Sequence, residues 1–145
     1  MDKWDQRFLN LARTVGSWSK DPSTKVGAVI AQGKYVLSLG FNGFPPDIED
    51  KEEWLNNREE KYKRVVHAEM NAITVANGGV AGATLYVTPL MPCPLCAKRI
   101  IDSGISAVHF EIPDPLPEHW QQPYAETMML FNTHGIETTC HKLKH

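Results

Sequence analysis

Apolar residues Trp4, Phe8, Leu9, Leu11, Ala12 and Val15 recur at a period near 3.6, and the spacing predicts a helix closed by Gly16. A polar stretch with turn residues, 17–24, separates it from residues 25–31, whose unbroken apolar run reads as a buried strand. Gln32-Gly33-Lys34 turns the chain, and residues 35–41 are predicted as the hairpin partner. That strand runs out into Asn42-Gly43-Phe44-Pro45-Pro46, where two prolines stop the sheet. Residues 47–64 are strongly charged, which predicts a solvated loop and short helix. The functional alternative is a lid tethered by Trp54, Leu55, Tyr62, Val65 and Val66.

Beyond it the pattern alternates. A helix opens near His67, runs to about Ala76 and is ended by Asn77-Gly78-Gly79. Residues 83–88 form a strand, and Pro94 suits the first position of a helix whose apolar face is Ala97, Ile100 and Ile101. Another strand spans 107–112. After a proline-rich link comes a helix over about 121–133, with a weak strand signal over 137–143. This alternation predicts an α/β fold with a mixed sheet and helices on both faces.

Composition narrows the classes. At 145 residues, 42% hydrophobic and 22% charged, the chain reads as one globular domain, 1–145, able to bury a core. The formal net charge of −2 shows no basic excess, which weighs against a grip on nucleic acid and favours a small-molecule substrate. No apolar run is long enough for a membrane span and no leader pattern is visible, so no membrane partner and a cytoplasmic location are expected. Cys140 reads as a small apolar residue, whereas Cys93 and Cys96, three apart and beside prolines, point to metal or redox chemistry.

Zinc takes tetrahedral nitrogen and sulfur ligands, and a catalytic site keeps one position open. His67, Cys93 and Cys96 offer three ligands, and a helix opening at the cysteine pair would stabilise their thiolates. Glu69 stands two residues from His67. In mid-helix the two would diverge by about 200°, but at a helix start both can face an ion held between two helix N-termini. A carboxylate there can take a proton from a water acidified by Zn2+ and deliver it to a ring nitrogen and a departing amine, which suits hydrolytic deamination. Two alternatives stand beside this reading. One is a closed, non-catalytic zinc module whose fourth ligand is His109, His119, His134, Cys140 or His141; the other is a redox Cys-x-x-Cys. Glu69 discriminates, because a purely structural site has no use for it.

At His67-Ala68-Glu69-Met70-Asn71-Ala72-Ile73 and Pro92-Cys93-Pro94-Leu95-Cys96 the chain resembles the cytidine/deoxycytidylate deaminase superfamily. Residues outside the zinc motif resemble the dCMP deaminase branch. They are Ser19-Lys20-Asp21-Pro22-Ser23-Thr24-Lys25-Val26-Gly27-Ala28-Val29-Ile30, Gly40-Phe41-Asn42-Gly43-Phe44-Pro45 and Lys61-Tyr62. The resemblance implies a cytidine-deaminase-like three-layer α-β-α sandwich around a mixed sheet. It also implies zinc on His67, Cys93 and Cys96, with Glu69 as proton shuttle. The implied reaction is dCMP plus water giving dUMP and ammonia, in support of thymidylate synthesis. Asn42 would contact the nucleotide, with Lys25, Arg58, Tyr62 and Tyr124 as phosphate candidates, and a homo-oligomer is expected. A deaminase of another base is the related alternative: 5-methyl-dCMP, adenosine in transfer RNA, or guanine. Members regulated by dCTP with magnesium carry a further glycine after the Asn-Gly pair. Here the loop runs Phe44-Pro45-Pro46-Asp47-Ile48-Glu49-Asp50, so that control is not implied.

Overall fold

The computed structural model describes residues 2–43 and 67–144. The first helix, α1 (Lys3–Gly16), starts where the Asp2 side chain accepts from the Trp4 and Asp5 N–H groups, and it buries Phe8, Leu9, Ala12 and Val15. The hairpin follows as β1 (Gly27–Gln32) and β2 (Tyr35–Phe41). Then come α2 (Ala68–Ala76), β3 (Thr84–Thr88), α3 (Pro94–Asp102), β4 (Ala107–Asp114), α4 (Glu118–Thr133) and β5 (Glu137–Lys144). The charged stretch 47–64 lies outside the described residues.

The five strands form one sheet in the order β2-β1-β3-β4-β5. The pairs β1–β2 and β1–β3 are antiparallel, whereas β3–β4 and β4–β5 are parallel. The parallel pairs need crossovers, which α3 and α4 supply. Alternate residues sort to two faces. Ala28, Ile30, Leu85, Val87, Val108 and Phe110 pack against Ala68, Ala72 and Ile73 of α2, Ala97 and Ile100 of α3, and Phe131 of α4. Val29, Ala31 and Tyr86 pack on the other face against Phe8, Leu9 and Ala12 of α1. The result is the three-layer α-β-α sandwich around a mixed sheet.

Several elements differ from the pattern-based expectation; β4, for one, runs on to Asp114 where 112 was expected. β1 begins at Gly27: the Val26 carbonyl still accepts from the Asn42 N–H, but the Val26 N–H is taken by the Asn42 side chain. The last helix starts three residues earlier than 121, directly after Pro117. Pro123 inside its first turns obscures that start in sequence. The weak C-terminal signal is a genuine strand of eight residues, an edge strand whose polar sequence hides its period.

Two glycines let helices approach the sheet backbone. A Cβ on Gly27 would lie 1.8 Å from the Ala12 carbonyl oxygen of α1, and one on Gly40 would lie 2.4 Å from that of Ala68 in α2. α2 is therefore seated on the end of β2 through backbone, and the Ser38 hydroxyl donates to the Ala72 carbonyl at 2.7 Å. On the α1 face, Arg13 pairs with the buried carboxylate of Glu111. Nearby, the Tyr86 hydroxyl donates to Asp5 at 2.6 Å and its ring stacks on His109, whose Nδ1 lies 3.3 Å from His141 Nε2.

Candidate active site

His67 is the N-cap of α2 and Cys93 the N-cap of α3, both with extended backbone (ψ 153° and 165°). Their carbonyls accept the first helical hydrogen bonds, from Asn71 and Ala97, while their side chains point off the helix starts. Pro94 occupies the first turn of α3, where its missing N–H costs nothing, and the Cys93 sulfur accepts from the Cys96 N–H at 3.4 Å. Thr127 of α4, fully buried, donates to the Pro92 carbonyl at 3.0 Å and fixes the approach to Cys93.

The register places both helix starts together. Gly27 of β1 pairs with Thr88 at the end of β3, which leads directly to Cys93. His67 Nδ1 lies 3.2 Å from Cys96 Sγ and 3.6 Å from Cys93 Sγ. Two ligands at zinc bond lengths on a tetrahedron would be ~3.6 Å apart for a nitrogen–sulfur pair, so this donor set fits zinc. Among the described residues it is the one group of three or more such side chains able to share an ion. His109, His119, His134, Cys140 and His141 are not brought into it. The three grade inwards: His67 at the exposed rim, Cys93 intermediate, Cys96 buried.

Without a metal these groups share protons. The Cys96 thiol donates to Cys93, pushing the Cys93 thiol down to about 4, and His67 adds to that effect. Cys96, which keeps the proton and is buried, is shifted upwards. His67 is raised mainly by its hydrogen bond to Cys93. A bound metal displaces such protons.

Glu69 is 3% exposed, on the first turn of α2. Burial pushes its carboxyl up to about 7, against the opposing pull of its own backbone N–H and of His67. A carboxyl poised there can both take and give a proton near neutral pH.

The lower-ranked contacts fare differently. Asn42 sits at the same end of the sheet, but its amide is engaged within the chain. Oδ1 accepts from the Val26 N–H at 2.8 Å, and Nδ2 donates to the Thr24 carbonyl at 2.9 Å and to Asp21 at 3.3 Å. Both donors are used, so only one Oδ1 lone pair is left for a ligand. Lys25 donates through Nζ to the Ser19 carbonyl. Tyr124, expected at the phosphate, lies against Phe110 of β4 and the Cys140 thiol. Arg58 and Tyr62 lie outside the described residues. Sequence reasoning assigned no role to Ser38 or Thr127, and quoted Ser19, Asp21 and Asn71 only as part of a resemblance; burial and backbone partners are what mark all five.

The family model for the cytidine and deoxycytidylate deaminase zinc-binding region matches residues 2–112. An uncharacterized deaminase in the luxG 3′ region of Aliivibrio fischeri is 41% identical over 96% of this chain and 94% of its own length. The human deoxycytidylate deaminase is 35% identical, over 92% of this chain and 77% of its own. The structure of the dCMP deaminase from cyanophage S-TIM5, in complex with dCMP and dUMP, superposes with a TM-score of 0.74. It covers 97% of this chain and 99% of that one at 23% identity, a likeness of fold.

Proposed function

The chain belongs to the cytidine and deoxycytidylate deaminase family, and from that premise we propose that it hydrolyses dCMP to dUMP with release of ammonia. The observation that carries this reading is the buried Glu69 carboxyl set two residues from His67, beside a donor set that fits zinc. His67, Cys93 and Cys96 would hold the ion. When bound, zinc supplies Lewis acidity that brings deprotonation of a water towards neutral pH.

Glu69 takes a proton from the attacking water and delivers it to the ring nitrogen beside the reacting carbon. Attack forms a carbon–oxygen bond at that carbon, and the carbon–nitrogen bond to the amino group then breaks. Glu69 carries the second proton to the departing amine, so water and dCMP become ammonia and dUMP in balance. Burial suits the residue to this work by keeping its proton affinity near neutrality.

Residues 1–145 are read as a single deaminase domain, a reading supported by the one sheet shared by all four described helices. No described helix is long and apolar enough to cross a membrane. We read the chain as a homo-oligomer, for which Val75 on α2, Leu95 on α3 and Met129 on α4 are exposed apolar side chains available to a contact.

The test is ammonia release from a panel of cytosine, adenine and guanine bases, nucleosides and monophosphates, with 5-methyl-dCMP included. dCMP is expected to lead. Glu69→Gln is expected to keep its zinc and lose about 10³-fold in kcat. Release from none of the panel, or undiminished turnover by the variant, would overturn the reading.

A further inference from the structure

Asp21 is a carboxylate only 4% exposed, in a loop that precedes a strand. A buried carboxylate persists where its lone pairs are used, and here they organise a segment. One oxygen accepts from the Ser23 and Thr24 N–H groups at 2.8 and 3.3 Å, which closes a tight turn. The other accepts from Asn42 Nδ2 at 3.3 Å.

Around that contact the loop wraps Asn42. Ser19, 2% exposed, donates its hydroxyl to the Asn42 carbonyl at 2.8 Å and accepts from the Asp21 N–H at 3.2 Å. Asn42 holds Val26 from both sides, donating its N–H to the Val26 carbonyl at 3.2 Å and accepting from the Val26 N–H. The residue before Asn42 is bound to the metal helix, since the Phe41 carbonyl accepts from Asn71 Nδ2 at 2.8 Å and the Asn71 N–H bonds His67. Hydrogen bonds on either side of the Phe41–Asn42 peptide thus link the start of α2 to Asp21 and the 19–26 loop.

We infer that Asp21 is a positioning residue for substrate binding, fixing the orientation of the Asn42 amide and the place of the 19–26 loop beside the metal end of the sheet. The carboxylate is acceptor-only, so together with the Thr24 carbonyl it holds the nitrogen end of the Asn42 amide and leaves Oδ1 facing Val26. None of His67, Glu69, Cys93 and Cys96 lies on this loop, so its looseness would be felt in binding before chemistry. This rests on the deaminase reading given above.

Asp21→Asn separates the contact from the turn. An asparagine keeps one oxygen for the Ser23 and Thr24 N–H groups but then turns an NH2 towards the NH2 of Asn42. With dCMP, Asp21→Asn is expected to raise KM about tenfold, with kcat within about threefold of wild type and zinc content unchanged. A variant with unchanged KM, or one that loses kcat and zinc together, would overturn the inference. Hydrogen exchange followed by mass spectrometry on the full chain reads the same point without turnover. Peptides covering 19–26 and 42 should exchange at least tenfold faster in Asp21→Asn, while those from α2 and α3 stay at wild-type rates. Unchanged exchange in 19–26 would also overturn it, and Asp21→Ala serves in the same assay if the asparagine variant folds poorly. Wild-type protein that releases no ammonia from dCMP would sink the deaminase reading, and the exchange arm would still decide whether Asp21 fixes the loop.

Discussion

Gly40→Ala offers a sharp check on how the active helix is seated. The added Cβ would stand 2.4 Å from the Ala68 carbonyl oxygen and 2.5 Å from the Ala72 nitrogen, about 1 Å inside ordinary contact at 3.4 Å. Both obstacles are backbone of α2, so no side chain can rotate away and the helix itself must move off β2. Forcing a methyl into a packed interface costs about 1–3 kcal/mol, and in a chain of this size each kcal/mol lowers Tm by roughly 2–4 °C. The larger expected effect is catalytic. α2 carries His67 at its cap and Glu69 in its first turn, and a 1 Å misplacement of reacting groups costs on the order of 10²-fold. Thermal denaturation together with kcat on dCMP measures both, with Gly43→Ala as the stability control because, among the described residues, nothing lies within 4 Å of its added Cβ. Wild-type Tm and kcat in Gly40→Ala would refute the idea that backbone contact with β2 fixes the helix.

Two further outcomes are expected. Cys96→Ala should leave the purified protein with well under one zinc per chain by elemental analysis, and full occupancy with full activity would remove Cys96 from the ligand set. His109 is shifted downwards, chiefly by burial and against the pull of Asp5. Its unfolded form therefore binds a proton that the folded form resists, and stability present above the unfolded value of 6.5 is lost as pH falls towards the depressed folded value. The loss can reach ~1.4 kcal/mol per pH unit. Urea midpoints at pH 7 and 5.5 should fall less in His109→Gln than in wild type, and equal slopes would exclude His109.

The alternation of helix and strand after the hairpin was legible because each element buries one face and keeps its period, as in Phe8-Leu9-Ala12-Val15 on α1. β5 was faint, since an edge strand reading Glu-Thr-Thr-Cys-His-Lys has few apolar residues to show alternation. The zinc donors and Glu69 stood out because a Cys-x-x-Cys after proline and a His-x-Glu at a helix start bring metal ligands and a carboxylate together at short, recognisable spacings. For the expected substrate contacts the structure shows only what each described side chain bonds within the chain. Asn42 and Lys25 bond their own loop, and Tyr124 packs against Phe110. A polar residue's type says that it will find a partner, not which one, and that choice is made by tertiary closure of Asp21 and Ser19 onto the end of β2.

The return path between the two halves of the site has a consequence for chain length. From His67 the chain runs down α2, nine residues or ~14 Å at the helical rise, and comes back along β3, five residues or ~17 Å. Outward and homeward legs nearly match, so Cys93 is delivered beside His67 by arithmetic of rise per residue. A residue added or removed within α2 or β3 unbalances the legs, turns the helix by about 100° or flips the strand's facing, and separates the donors. The turn between them, with glycines 78, 79 and 82 at positive φ, sits at the far end of the excursion. Changes of length there alter neither leg, and engineered insertions are best placed at Gly78-Gly79, since Val80 and Ala83 are buried in the core and Gly82 is bonded to Gly104.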